Sequence, residues 1–108
     1  MRLPLLCALF LSAAPVVATA AETTVEVANY ACAGSEVMRV VYVNGADGKS
    51  FAILLQMDEM IPMAQEVSAS GAIYKAISPD YTYTLLTKGK EAFLEDDKGN
   101  RILSDCSL

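Results

Sequence analysis

Apolar and polar residues alternate in short runs along most of this chain, and each run is closed by turn-forming residues, a pattern that predicts a meander of β-strands. Thr24 to Tyr30 places Val25 and Val27 on one face, with Thr24 and Glu26 opposite. Val37 to Val43 is rich in β-branched residues and runs into Asn44-Gly45 and Asp47-Gly48, both strong turn dipeptides. Ser50 to Met57 is a more continuous apolar run. Pro62 interrupts the next segment, so Ile61 to Val67 reads as an edge strand or a short irregular stretch, because proline has no N–H to give a ladder. Ser70-Gly71 marks a further turn, Tyr74 to Ile77 is short, and Ser78-Pro79-Asp80 breaks it. Tyr81-Thr82-Tyr83-Thr84-Leu85 alternates cleanly, with both tyrosines and Leu85 on one face. Lys88-Gly89 turns the chain, Ala92 and Leu94 share a face, and Asp97 to Asn100 leads into Arg101 to Cys106.

About eight short strands at this spacing predict an all-β fold, a small antiparallel barrel, with a β-sandwich as the alternative. Closure is favoured because it removes strand edges that would otherwise pair with other chains. No internal repeat, low-complexity tract or linker interrupts the segment.

The first twenty residues follow a different pattern. Arg2 precedes an apolar run from Leu3 to Leu11, and the stretch ends Ala18-Thr19-Ala20. A positive start, an apolar middle and a small-x-small end read as a secretory signal peptide cleaved after Ala20, with residues 21–108 as the mature domain. The other reading is an uncleaved anchor, but the run is near the lower limit for spanning a bilayer, and Pro4 and Pro15 weaken it as a helix. Cys7 lies ahead of most of the apolar region, which argues against a lipid-anchored form. A periplasmic or secreted location follows.

Removing the signal changes the charge and the cysteine count. The full chain carries a formal net charge of -5, and without Arg2 seven bases face thirteen acids, giving -6. An acidic surface argues against nucleic acid, whose phosphates need clustered lysine and arginine. It suits a basic protein partner, although solubility alone also accounts for it. Two cysteines remain, Cys32 and Cys106, near the two ends of the domain. With no histidine in the chain and no Cys-x-x-Cys spacing, a metal pair or redox site fits poorly, and a structural disulfide is the expected arrangement.

Enzyme signatures are nearly missing. The lack of histidine removes the common general base and the serine and cysteine triads. Asp58-Glu59 and Asp96-Asp97 are adjacent acids whose side chains point to opposite faces if they lie on strands, so they read as solvated loop charges. No phosphate loop or metal-ligand spacing is found, and no cofactor is implied.

Two segments stand out, Ser70-Gly71-Ala72-Ile73-Tyr74 and Lys88-Gly89-Lys90-Glu91-Ala92. By physics alone they are turns that use glycine for its backbone freedom, with Ser70 and Lys88 as solvated loop residues and Tyr74 packing inward. In order along the chain, however, Tyr30-Ala31-Cys32, Val40-Val41-Tyr42, Ser-Gly-x-x-Tyr, Lys-Gly-x-x-Ala and the closing Cys106 resemble the landmarks of the MliC/PliC family of c-type lysozyme inhibitors, over about residues 30–106. The resemblance implies an eight-stranded antiparallel barrel, a c-type lysozyme as partner, and a mechanism by insertion. Ser70 and Lys88 would approach the catalytic carboxylates, with Gly71 and Gly89 shaping their loops, and Tyr74 and Tyr83 would be structural. The chain departs from the family in two places: Leu86 stands where tryptophan is usual, and an apparent insertion falls at Lys75 to Asp80, expected beside the binding edge. The rival readings are a periplasmic barrel that holds a small ligand or glycan, with Tyr81 and Tyr83 among its few stacking residues, and a structural envelope protein with no soluble ligand.

Overall fold

The computed structural model describes residues 22–68 and 70–108; the signal-peptide reading of residues 1–20 lies outside them. Eight strands follow one another around a closed antiparallel barrel in chain order: β1 (Thr24–Ala31), β2 (Val37–Asn44), β3 (Ser50–Gln56), β4 (Glu59–Glu66), β5 (Ala72–Ala76), β6 (Thr84–Lys88), β7 (Glu91–Glu95) and β8 (Arg101–Ser107). The expected all-β barrel is therefore the observed fold, and the sandwich is not.

The core fills the barrel by strict alternation. Ala28 and Tyr30 of β1, Met38 and Val40 of β2, Ala52 and Leu54 of β3, Ile61 and Met63 of β4, Tyr74, Leu85, Ala92, Leu94, Leu103 and Cys106 are all buried. Within each strand from β1 to β7 the buried positions keep one parity; at β8 the register against β7 slips between Ala92 and Leu94 and again between Leu94 and Glu95. Bulges of this kind insert extra residues into one strand and switch the face that follows. Asp105 takes a positive φ of 52° here, and both Leu103 and Cys106 end up inside.

Val25 and Val27 share a face as expected, and it is the outer one, with 63% and 68% of their surface exposed, because Ala28 and Tyr30 claim the interior. Two local expectations are revised. Ile61 to Glu66 lie in a regular strand, β4, paired on both sides despite Pro62, and Val67 falls just beyond it. The Pro62 carbonyl accepts a hydrogen bond from Ile77 N at 3.0 Å, so the side of Pro62 that lacks an N–H faces Ile77, one residue beyond β5, and the cost is one reciprocal bond at the end of that pairing. Tyr81 and Tyr83 precede β6 instead of belonging to it. They still turn toward the core, stacked with ring centroids 6.3 Å apart, and so cover the barrel end from a loop.

Cys32 and Cys106 form the expected disulfide, 74 residues apart in sequence. Its position explains its value. Neighbouring strands elsewhere pair over several residues, but β1 meets β8 through the single pair Ala31–Ser107. The covalent bond sits beside that pair and holds the seam where hydrogen bonding is thinnest.

Candidate functional site

An up-and-down barrel sorts its connections between two ends. One end gathers the β2–β3 turn, the β4–β5 loop with Ser70 and Gly71, and the β6–β7 turn with Lys88 and Gly89. The other end carries the β3–β4 turn at Met57 and Asp58, the loop from Ile77 to Tyr83, and the β7–β8 turn. The two segments singled out by sequence, eighteen residues apart, are thus brought to the same end because each lies one hairpin from the other across β5 and β6.

Their closeness depends on Gly71. Ala72 pairs with Thr87 in the β5–β6 ladder, so the residue before β5 is drawn directly over the end of β6. Gly71 has a φ of +86°, and a Cβ placed on it would collide with the Thr87 carbonyl oxygen and come within 3.5 Å of Lys88 Cβ. Only glycine satisfies both the left-handed backbone and the missing side chain. Gly89 differs: its φ is +60°, but a Cβ there would meet nothing within 4 Å. It is needed for the turn and not for packing.

Ser70 and Lys88 line a common pocket of about 250 Å³, together with Ser68, Ile73, Leu86 and Phe93. Ile73, Leu86 and Phe93 are cross-strand neighbours on the outer face. They form an apolar shelf at the foot of the serine and the lysine. The Arg101 guanidinium lies 4.3 Å from the centre of the Phe93 ring and extends that shelf with a cation–π contact. Ser70, Lys88 and Gly89 are all exposed.

Tyr74 is 5% exposed and belongs to the interior, as expected. It forms part of a tyrosine cluster under the same barrel end. The Tyr42 and Tyr74 rings lie 5.5 Å apart, and the Tyr30 and Tyr42 hydroxyls share a hydrogen bond of 2.8 Å. Burial, followed by the Tyr30 hydrogen bond, pushes the Tyr42 phenol far above its ordinary value of 10.0. The Tyr42 phenol is therefore uncharged at physiological pH. Tyr83 packs at the opposite end.

The expected placement of the Lys75 to Asp80 insertion beside the binding edge is not met. Lys75 and Ala76 complete β5, and the extra length falls in the loop at the far end of the barrel. Odd-numbered connections and even-numbered connections of a meander lie at opposite ends, so length added between β5 and β6 cannot crowd Ser70 or Lys88. Lys75 itself forms an exposed ion pair with Glu66 at 3.3 Å.

Sequence reading missed the shelf of Ile73, Leu86 and Phe93. The signal was present as apolar residues at outward parity in three strands, but parity carries no meaning until the pairing is known. Among the described residues no group of histidine, cysteine or carboxylate side chains is arranged to hold a metal, and no helix is long and apolar enough to cross a membrane.

The model of the family described as membrane-bound lysozyme-inhibitor of c-type lysozyme, MliC, matches residues 30–102. The chain belongs to the MliC family. Among solved structures, the MliC-family barrel described here is similar to PliC-St, the periplasmic lysozyme inhibitor of c-type lysozyme from Salmonella typhimurium. The two share 46% sequence identity over 79% of this chain and 98% of that one, with a TM-score of 0.75. A comparison with curated proteins finds none that matches.

Proposed function

We propose that this MliC-family protein is an extracytoplasmic inhibitor of c-type lysozyme that blocks the enzyme by inserting the Ser70–Gly71 loop and the Lys88–Gly89 turn into its active-site cleft. The observation that carries this reading is the close approach of Gly71 to the Thr87 carbonyl, which leaves no room for a side chain and brings the two segments together at one end of the barrel. Family membership and the similarity to a periplasmic lysozyme inhibitor support the choice of target.

The chemistry follows from what lysozyme needs. Glycoside hydrolysis uses two carboxyl groups flanking the scissile bond, one of which must keep a proton to donate. The Lys88 ammonium carries a positive charge and three donors, and the Ser70 hydroxyl donates one hydrogen bond and accepts others. Set between the carboxyl groups, they occupy the place of the sugar and satisfy its hydrogen-bonding partners. The Lys88 charge also lowers the pKa of a neighbouring carboxyl group, holding it ionised and removing the proton it must give. The protein's acid excess speeds the encounter with a basic enzyme. No catalytic group is required of the inhibitor itself.

The test is clearance of a peptidoglycan suspension by c-type lysozyme, titrated with the mature, oxidised protein. Stoichiometric inhibition is expected, weakened by Ser70→Ala and by Lys88→Ala with melting temperature unchanged. A double variant that inhibits like the wild type would remove this site assignment.

A further inference from the structure

Among the described residues the methionines divide sharply. Met38 and Met63 are 0% exposed in the barrel core, whereas Met57 and Met60 are 68% and 71% exposed. Both exposed ones lie in the β3–β4 hairpin, at the end opposite Ser70 and Lys88. Gln56 pairs with Glu59, so Met57 and Asp58 are the two residues of the turn, with φ of 52° and 60°. Turns of this shape favour asparagine and glycine, and a left-handed methionine costs about 1–2 kcal/mol. An exposed side chain recovers little of that cost by packing, so the fold gives no reason for methionine at position 57. Met60 pairs with Leu55 and stands on the outer face. Met57 and Met60 line one cleft of about 440 Å³ whose wall includes Arg39.

We infer that Met57 and Met60 form a reversible oxidation site, at which a hydroperoxide is consumed without disturbing the fold or the Ser70–Lys88 end. The Cys32–Cys106 disulfide belongs to an oxidising compartment and leaves neither cysteine with a thiol. The chain has no tryptophan. The exposed thioethers are therefore the most readily oxidised groups on the surface of the described residues. With hydrogen peroxide, a sulfur lone pair attacks one peroxide oxygen, the O–O bond breaks and an S–O bond forms. The departing hydroxide takes the proton from the transferred hydroxyl, giving methionine sulfoxide and water. Sulfoxide formation turns an apolar side chain polar, which disrupts a core but costs little where the side chain is already in water. Arg39, on the wall of the same cleft, offers guanidinium donors to the new oxygen. Met38 and Met63 meet the oxidant only when the barrel opens.

The experiment exposes the mature, disulfide-bonded protein to hydrogen peroxide and follows each methionine by peptide mass mapping. Met57 and Met60 are expected to gain one oxygen each, at least roughly tenfold faster than Met38 and Met63. The doubly oxidised protein is expected to melt within roughly 4 °C of the reduced one. Methionine sulfoxide reductases of both epimer specificities should return its mass to the starting value. Replacing both residues, Met57→Leu with Met60→Leu, should abolish the fast uptake and keep the fold. Equal rates at core and surface, fast uptake retained by the double variant, unfolding of the doubly oxidised protein, or sulfoxides that the reductases leave in place would each overturn the inference. So would a reduced protein that inhibits lysozyme and a doubly oxidised one that does not. Failure of both forms to inhibit overturns the inhibitor reading alone, and the mass measurements still decide the oxidation site.

Discussion

Replacing each site glycine by alanine separates two costs that the structure makes unequal. At Gly89, with φ +60° and open space around the missing Cβ, alanine meets only backbone strain. A left-handed L-residue costs about 1–2 kcal/mol, offset by about 0.4–1 kcal/mol from the reduced freedom of the unfolded chain. The net loss is about 1 kcal/mol, which for a domain of this size lowers the melting temperature by roughly 4–8 °C. Gly71→Ala meets the same strain at φ +86° and, in addition, a collision with the Thr87 carbonyl. Overpacking against a fixed neighbour adds about 1–3 kcal/mol. Thr87 is held in β6 between two ladders, so the β4–β5 loop is the part that moves, carrying Ser70 away from Lys88. The expected result is a larger melting shift for Gly71→Ala than for Gly89→Ala, accompanied by at least a tenfold loss of lysozyme inhibition. Differential scanning fluorimetry and the clearance assay on the same samples decide it. Equal melting temperatures for the two variants, with Gly71→Ala inhibiting like the wild type, would refute the claim that close approach at Gly71 builds the site.

Three other outcomes are expected. Replacing Cys32 and Cys106 together by serine removes a 74-residue closure that is worth about 4.5 kcal/mol in the chain-entropy model, so the melting temperature should fall by at least roughly 20 °C; a fall of a few degrees would mean that the β1–β8 seam holds without the bond. Tyr42, whose phenol is raised by burial and by Tyr30, contributes stability that is complete below its unfolded value of 10.0 and declines as pH rises above it, since only the unfolded chain then ionises readily. Urea unfolding from pH 8 to 11 should show a steeper alkaline loss for the wild type than for Tyr42→Phe, and parallel slopes would remove Tyr42 as the cause. Asp96 accepts hydrogen bonds from Lys98 N, Asn100 N and Asn100 Nδ2, led by the Asn100 backbone, which hold its carboxyl below the ordinary 3.8. Its contribution is present above that value and lost as pH falls through the depressed one, so Asp96→Asn should flatten the acid limb of the stability curve.

Much of this molecule is legible in one dimension. Turn dipeptides and alternation delimit strands because both are local properties: glycine and asparagine relieve backbone sterics within a few residues, and a pleated strand repeats every two. The strand number and the order of the motifs along the chain follow from such local signals; the barrel rested on the further argument that closure removes edges, and the disulfide on two cysteines in a chain without histidine. Ser70 and Lys88 were visible as the ends of two turns.

What the tertiary structure decided is which side of each strand faces inward and what each turn meets. Alternation put Val25 and Val27 on one face without saying which, and it is Ala28 and Tyr30 that occupy the interior. Pro62 reads as an edge, but its orientation toward the end of β5 let the strand be central. The apparent insertion at Lys75 to Asp80 lies between Ser70 and Lys88 in sequence and at the opposite end of the barrel in space, since each antiparallel strand carries the chain from one end to the other. The dependence of the site on Gly71 was likewise invisible, because Thr87 is distant in sequence and becomes its neighbour only when β5 and β6 pair. Local chemistry determined the elements; the register between strands, fixed by what the closed barrel could bury, determined the site.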